Sequence, residues 1–268
     1  MLKDITLGQY FPGNSVVHRL DPRGKILLTV IYIVALFCAK RYVSYAFMAA
    51  VLITCVTVST IKFKSILRGI KPLVIIIAFT AILNMFFTKG SPVADVWLIR
   101  RITWEGLRTA AFMVLRIIML VSGTFLLTYT TSPMALTDGI EMLLNPLKKI
   151  KVPVHELAMM MSISLRFIPT LIEETDKIMS AQKARGADFE TGNILQRAKA
   201  LIPLLVPLFI SAFRRADELA TAMESRCYHG GEGRTRLKQL KFERRDYIAL
   251  LLGLLVLVCV IVLARLGL

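Results

Sequence analysis

Long apolar runs alternate with basic stretches along this chain, and the apolar runs approach membrane length. A bilayer core about 30 Å thick takes roughly 20 apolar residues in a helix. Five runs come close: residues 26–39, 42–61, 72–87, about 107–128, and 247–264. The first is short, but Lys25, Lys40 and Arg41 flank it and can snorkel from its ends. The turn between the first two runs is so tight that they are expected to form an antiparallel hairpin.

Between the fourth and fifth runs the pattern changes. Thr131-Ser132-Pro133 reads as a helix start, a hydroxyl cap followed by proline at the first helical position. It opens a short amphipathic helix that stops near Asn145-Pro146. Pro153 then begins a helical stretch over 154–185, interrupted only by Pro169 and ended by Gly186. A second long helix, from 194 to about 227, contains Pro203 and Pro207 and ends before His229-Gly230-Gly231. Each is apolar in its first half and charged in its second. Prolines remove a backbone donor and crowd the preceding turn, so both helices are expected to bend. Such helices suit a layer at the membrane surface better than two more spans. Reading 201–213 as a sixth span is weaker, because Arg197, Lys199, Arg214 and Arg215 bracket it closely.

The expected fold is therefore an all-α integral membrane protein. About five transmembrane helices carry a cytoplasmic-side layer of one short helix and two long bent helices. Three regions follow: 1–128, an N-terminal segment with four spans; 129–246, the interfacial helices; and 247–268, the last span.

Orientation rests on the distribution of Lys and Arg. The tail before the first run holds four, the loop 62–71 four, and the stretch 129–246 eighteen. On the other side, the first turn holds two and loop 88–106 three, Arg100 and Arg101 among them. The N-terminus and the long helices are thus expected in the cytoplasm, with the C-terminus outside. No cleavable signal is expected, since no apolar stretch precedes Leu20.

The second halves of the long helices repeat. Residues 175–187 (TDKIMSAQKARGA) return 41 positions later as 216–228 (ADELATAMESRCY), superposing Asp176 on Asp217, Ile178 on Leu219, Ala181 on Ala222 and Arg185 on Arg226. Arginine at a helix end is ordinary capping. The same arginine at the same phase twice points to two equivalent docking points. Small neighbours let a partner approach the backbone, and a guanidinium makes forked bonds to carboxylates or carbonyls in a groove.

Composition narrows the alternatives. The 268 residues are 56% hydrophobic with a net charge of +16, too apolar for a soluble domain. Cys38, Cys55, Cys227 and Cys259 are widely spaced, without CxxC or histidines at ligand spacing, which argues against disulfides and zinc. GGEGRT at 230–235 is not a P-loop, and His155-Glu156 lacks the second histidine of HExxH. His18 and His229 read as surface or capping residues, and Glu173-Glu174 as part of a solvated face. No cofactor is expected. The basic region lacks interleaved aromatics, so it reflects topology and anionic lipid rather than nucleic acid. Arg116, near mid-depth of the fourth run, costs about 2.5–3.5 kcal/mol to insert. It reads either as a bundle-facing residue bonded to a carbonyl or hydroxyl of another helix, or as part of a transport path.

The chain resembles the transmembrane T component of energy-coupling factor (ECF) transporters, the family that includes T subunits of vitamin and cobalt uptake systems. The resemblance is carried by SVVHRLDPRGK (15–25), TTSPMALTDGIEMLLNPLK (130–148), SLRFIPTLIEE (164–174), and the motifs Ala184-Arg185-Gly186 and Ser225-Arg226-Cys227. It implies that the two arginine motifs dock into grooves of two ABC-type ATPases in the membrane of a bacterial cell. A separate S component would capture a vitamin or metal ion and pack on the apolar faces of the long helices. Cys227 departs from the glycine of many members. Asp21, Arg23, Arg166, Pro169, Asp176 and Asp217 are supporting candidates. Met159, Met160 and Met161 are either a contact for the S component or core packing. On this reading the chain is a scaffold that transmits motion, not an enzyme. Two other classes stay open: a membrane enzyme, which would need clustered acid–base groups at depth, and a self-sufficient secondary transporter or channel, which would show repeated membrane halves.

Overall fold

The computed structural model describes residues 10–87, 103–187, 189, 193–230 and 239–266. Lys3, Arg100, Arg101 and the GGEGRT stretch beyond Gly230 lie outside the described residues. Among those described, regular structure is helical: α1 (Pro22–Cys38), α2 (Tyr42–Val58), α3 (Phe63–Ile70), α4 (Val74–Phe87), α5 (Trp104–Thr130), α6 (Pro133–Leu144), α7 (Val154–Ala184), α8 (Ile194–Ser225) and α9 (Arg244–Arg265). The expected all-α architecture holds.

The chain divides into two compact units, one drawn from Gly8–Gly139 with Leu240–Leu268, the other containing Ile140–Gln239. The first unit carries the membrane helices. Three helical stretches are long and apolar enough to cross a bilayer: Phe63–Phe86, Trp104–Thr130 and Arg244–Arg265. The first of these is longer than its apolar run suggests. Basic α3 joins α4 through a 3₁₀ turn at Lys71–Leu73, where Pro72 needs no amide partner. α1 and α2 have 17 residues each, about 26 Å of helix, slightly short of the hydrocarbon thickness.

Two apolar cores hold this unit. One joins α1, α2, α5 and α9 through Ala35, Leu36, Tyr45, Met48, Met119 and Val260. The other joins α2 to α5 through Val56, Ile66, Ile70, Ile77 and Tyr129. The expected hairpin of the first two helices is open over most of its length. A turn over 39–41 does connect them, but α1 packs mainly on α9 and α5, and so does α2. A cavity of about 350 Å³, lined by Leu28, Tyr32, Val51 and Cys55, lies between their facing sides. Shape decides this. Gly123 on α5 leaves room for the Tyr32 ring, which a Cβ there would overlap, and the Tyr32 hydroxyl donates to the Met119 carbonyl at 3.1 Å.

In the second unit α7 and α8 run unbroken for 31 and 32 residues, with Pro169 inside the former and Pro203 and Pro207 inside the latter. Each spans roughly 47 Å. Asn193 and Gln196 form a reciprocal capping box at the start of α8. His155, at the start of α7, bonds Glu141 of α6 through Nδ1 at 3.0 Å.

Candidate functional site at two arginine-bearing helix ends

Both long helices end in the same hydrogen-bonded form. After Ala184, the last residue of α7, Arg185 is the C-cap with φ −86° and ψ 4°. The Gly186 N–H then donates to the Lys183 carbonyl at 3.0 Å, and the Ala187 N–H to the Gln182 carbonyl at 3.0 Å. This is the complete Schellman pattern, which requires a left-handed residue after the cap. Gly186 supplies it with φ +89°.

The end of α8 follows suit. Arg226 is the C-cap with φ −94° and ψ 13°. Cys227 N–H donates to the Glu224 carbonyl at 2.8 Å, and Tyr228 N–H to the Met223 carbonyl at 3.1 Å. Cys227 takes the glycine's place with φ +55°, a conformation L-residues rarely adopt because of their Cβ. The departure noted in the second motif therefore leaves the backbone pattern intact.

The likeness extends one turn inward. The Ser180 hydroxyl donates to the Asp176 carbonyl at 2.7 Å, and Thr221 to the Asp217 carbonyl at 2.9 Å. Ala184, Arg185, Gly186, Ser225, Arg226 and Cys227 are all exposed. Each guanidinium thus stands at the negative end of a helix dipole, with its backbone fixed and its surroundings small and open. That arrangement can present a cation to an acidic or carbonyl-lined groove.

Between the tips the two helices bind one another. Glu174 accepts from the Ser211 hydroxyl and from Arg215 Nη2 at 3.2 Å. The Arg215 guanidinium lies 5.5 Å from the centre of the Phe167 ring. Gln182 Nε2 donates to the Pro203 carbonyl at 3.4 Å. The expectation that Glu173-Glu174 is a solvated pair is corrected for Glu174, which is half-buried between the helices, while Glu173 is exposed.

Among the supporting candidates, Arg166, Pro169 and Asp217 are exposed and Asp176 is half-buried. Met160 and Met161 are exposed, with Met159 half-buried beside buried Ala158. On α8, Leu205, Val206, Phe209, Ile210 and Phe213 are also exposed, giving an apolar face about 12 Å long.

Asp21 and Arg23 belong to a different structure. Asp21 caps α1 by accepting from the Arg23 N–H at 2.9 Å, and its carboxylate receives the Arg23 side chain at 3.0 and 2.9 Å. Arg23 also donates to the Leu240 carbonyl at 3.1 Å and sits 4.2 Å over the Phe242 ring. The Asp21 N–H donates to Asp246 at 2.8 Å, and Lys25 Nζ to the Thr130 carbonyl at 2.8 Å. The cluster ties α1 to the start of α9 and the end of α5, so the bracing it supplies is of the membrane bundle.

Arg116 faces the bundle. Its Nε donates to the Tyr45 hydroxyl at 2.9 Å and its Nη2 to the Ala39 carbonyl at 3.3 Å. The structural reading of this residue, bonded to a hydroxyl and a carbonyl of neighbouring segments, is the one observed.

A family model described as cobalt transport protein matches residues 13–237. A relative from Clostridium kluyveri, named energy-coupling factor transporter transmembrane protein EcfT, is 58% identical over 266 residues, covering 99% of this chain and 98% of its own. Relatives of the same name from Thermosediminibacter oceani and Bacillus subtilis are 60% and 48% identical, each covering 92% of this chain and 93% of their own. The chain belongs to the T-component family of energy-coupling factor transporters. As a T component it is a multi-pass membrane subunit of such a transporter, and among its described residues no group of three or more His, Cys, Asp and Glu is placed to hold a metal ion.

Proposed function

We propose that this T component couples two cytoplasmic ABC-type ATPases to a substrate-capturing S component in a bacterial membrane. Arg185 and Arg226 each enter a groove of one ATPase. ATP binding and hydrolysis by those partners displace the two tips, and the stiff helices α7 and α8 pass the displacement to their apolar faces. There the S component, resting on surfaces such as Met160, Met161 and Phe209, is tilted or released with its vitamin or metal ion. The N-terminus and coupling helices lie in the cytoplasm, a reading supported by their excess of Lys and Arg, with the spans before 129 and after 246 on either side of the coupling region in the sequence. The chain itself catalyses nothing, and its basic flanks meet anionic lipid.

The observation that carries this reading is the shared capping hydrogen-bond pattern at Arg185 and Arg226. A capping role needs no such match, whereas two equivalent sockets on two partners do. Arg116 supports a subunit role over a self-sufficient transport path, because its donors are engaged inside the bundle.

The test is Arg185→Glu combined with Arg226→Glu in the complete transporter. The double variant inserts normally but loses co-purifying ATPases and uptake, and each single variant is partly impaired. Normal ATPase recovery together with normal uptake in the double variant rejects the docking role.

A further inference from the structure

The ion pair between the long helices has the same sequence offset as the tips. Glu174 and Arg215 are 41 residues apart, and so are Arg185 and Arg226. The two partners therefore occupy one position of the repeat. Contacts also descend on α8 as they ascend on α7: Phe167 and Glu174 meet Arg215, Glu174 meets Ser211, and Gln182 meets Pro203. The helices cross antiparallel. When two copies of one element run antiparallel and touch through the same residue position, a local two-fold axis passes through that contact. Each arginine lies eleven residues beyond its own member of the pair, so each tip stands about 16 Å from the crossing, on opposite sides of it.

We infer that Glu174 and Arg215 are positioning residues, the pin at an internal two-fold axis that keeps the two arginine tips equidistant and in register. The inference rests on the docking reading of those tips. Ser211 and Arg215 are one turn apart on α8 and hold both oxygens of the Glu174 carboxylate. A slide of one helix along the other by a turn, about 5.4 Å, forfeits at least one of these bonds. The Phe167 ring centre lies 5.5 Å from the same guanidinium. Apolar packing alone tolerates such slippage far better than a charge-assisted pair does. Motion imposed on one tip is thereby turned into an equal and opposite motion of the other, instead of being lost as sliding.

The experiment uses the complete transporter, with its own ATPases and S component, in lipid nanodiscs and liposomes. Glu174→Leu, the conservative Glu174→Gln, and the charge exchange Glu174→Arg with Arg215→Glu are compared with the native chain. Nitroxide labels at the equivalent exposed positions 180 and 221, in a background lacking the four cysteines, report the tip-to-tip distance with and without ATP. In Glu174→Leu the ATPases still co-purify, the distance distribution broadens, and substrate taken up per ATP hydrolysed falls about 2- to 30-fold. Glu174→Gln falls less, and the charge exchange recovers much of both readouts. An unchanged distribution with unchanged uptake per ATP in Glu174→Leu overturns the inference. Loss of the ATPases in Glu174→Gln also overturns it, by making the pair part of docking itself. Failure of the docking reading is separately visible, as retention of ATPases by the Arg185→Glu, Arg226→Glu double variant.

Discussion

Replacing Gly186 by alanine isolates the backbone contribution to one tip. A Cβ at Gly186 meets nothing within 4 Å, so steric contact with the rest of the chain contributes nothing. What remains is torsional. An L-residue in the left-handed region costs about 1–2 kcal/mol, and the φ of +89° at Gly186 lies past the usual left-handed value of about +57°, so the upper part of that range applies. A penalty of that size increases the open population of the last turn by about 10- to 30-fold. The amides of Arg185, Gly186 and Ala187, all bonded in the closed tip, report it through hydrogen exchange measured by mass spectrometry on a peptide covering 182–187. Exchange there speeds by about that factor while the middle of α7 is unchanged. Gly186→Asn, which tolerates the left-handed region, speeds it far less. Cys227→Gly does the opposite at the other tip, slowing exchange of the Cys227 and Tyr228 amides by about fivefold, equivalent to about 1 kcal/mol of strain relieved. Exchange in Gly186→Ala within twofold of the native rate refutes the assignment of that glycine as the left-handed terminator of α7.

Other consequences follow from the membrane unit. In Arg116→Met, the loss of two hydrogen bonds to a charged group, each about 1.5–3 kcal/mol, is offset by the insertion cost of about 2.5–3.5 kcal/mol that the arginine no longer imposes. The assembled variant shows native uptake, with a thermal midpoint in detergent close to or moderately below that of the native protein; loss of uptake from an intact complex makes Arg116 a functional residue instead. Asp21→Ala leaves Arg23 without its carboxylate in a site where Asp21 is 3% exposed. A cost of about 3 kcal/mol or more lowers the thermal midpoint sharply, and a midpoint within a degree or two of native excludes the clamp as a brace of α1 on α9.

Helix ends were the most legible part of the fold, because they are written in local chemistry. Pro133 starts α6 and Gly186 stops α7, each through a backbone need met by that residue type. Cys227 was less legible. Cysteine carries no turn preference, and only its register with Gly186 in the repeat marks it as the left-handed residue. Lateral packing was legible least. A three-residue turn fixes where two helices begin to diverge, not whether they stay together, and the fit of Tyr32 against Gly123 drew α1 onto α5. The partner of Glu174 is likewise long-range. A signal for it did exist, since adding the 41-residue offset to Glu174 gives Arg215, but a lone acidic pair on a charged helix carries no hint that the repeat folds back on itself. Arg116 was legible in kind, as a bundle-facing donor, though its particular acceptors depend on the turn between α1 and α2.

The central claim is that both capped ends touch motor subunits. A photo-crosslinking amino acid placed in turn at positions 184 and 225, in the complete transporter in native membranes, reads this directly. Illumination yields, from each position, an adduct of the chain with one ATPase subunit. Adducts with lipid alone, or an ATPase adduct from neither position, would contradict the account.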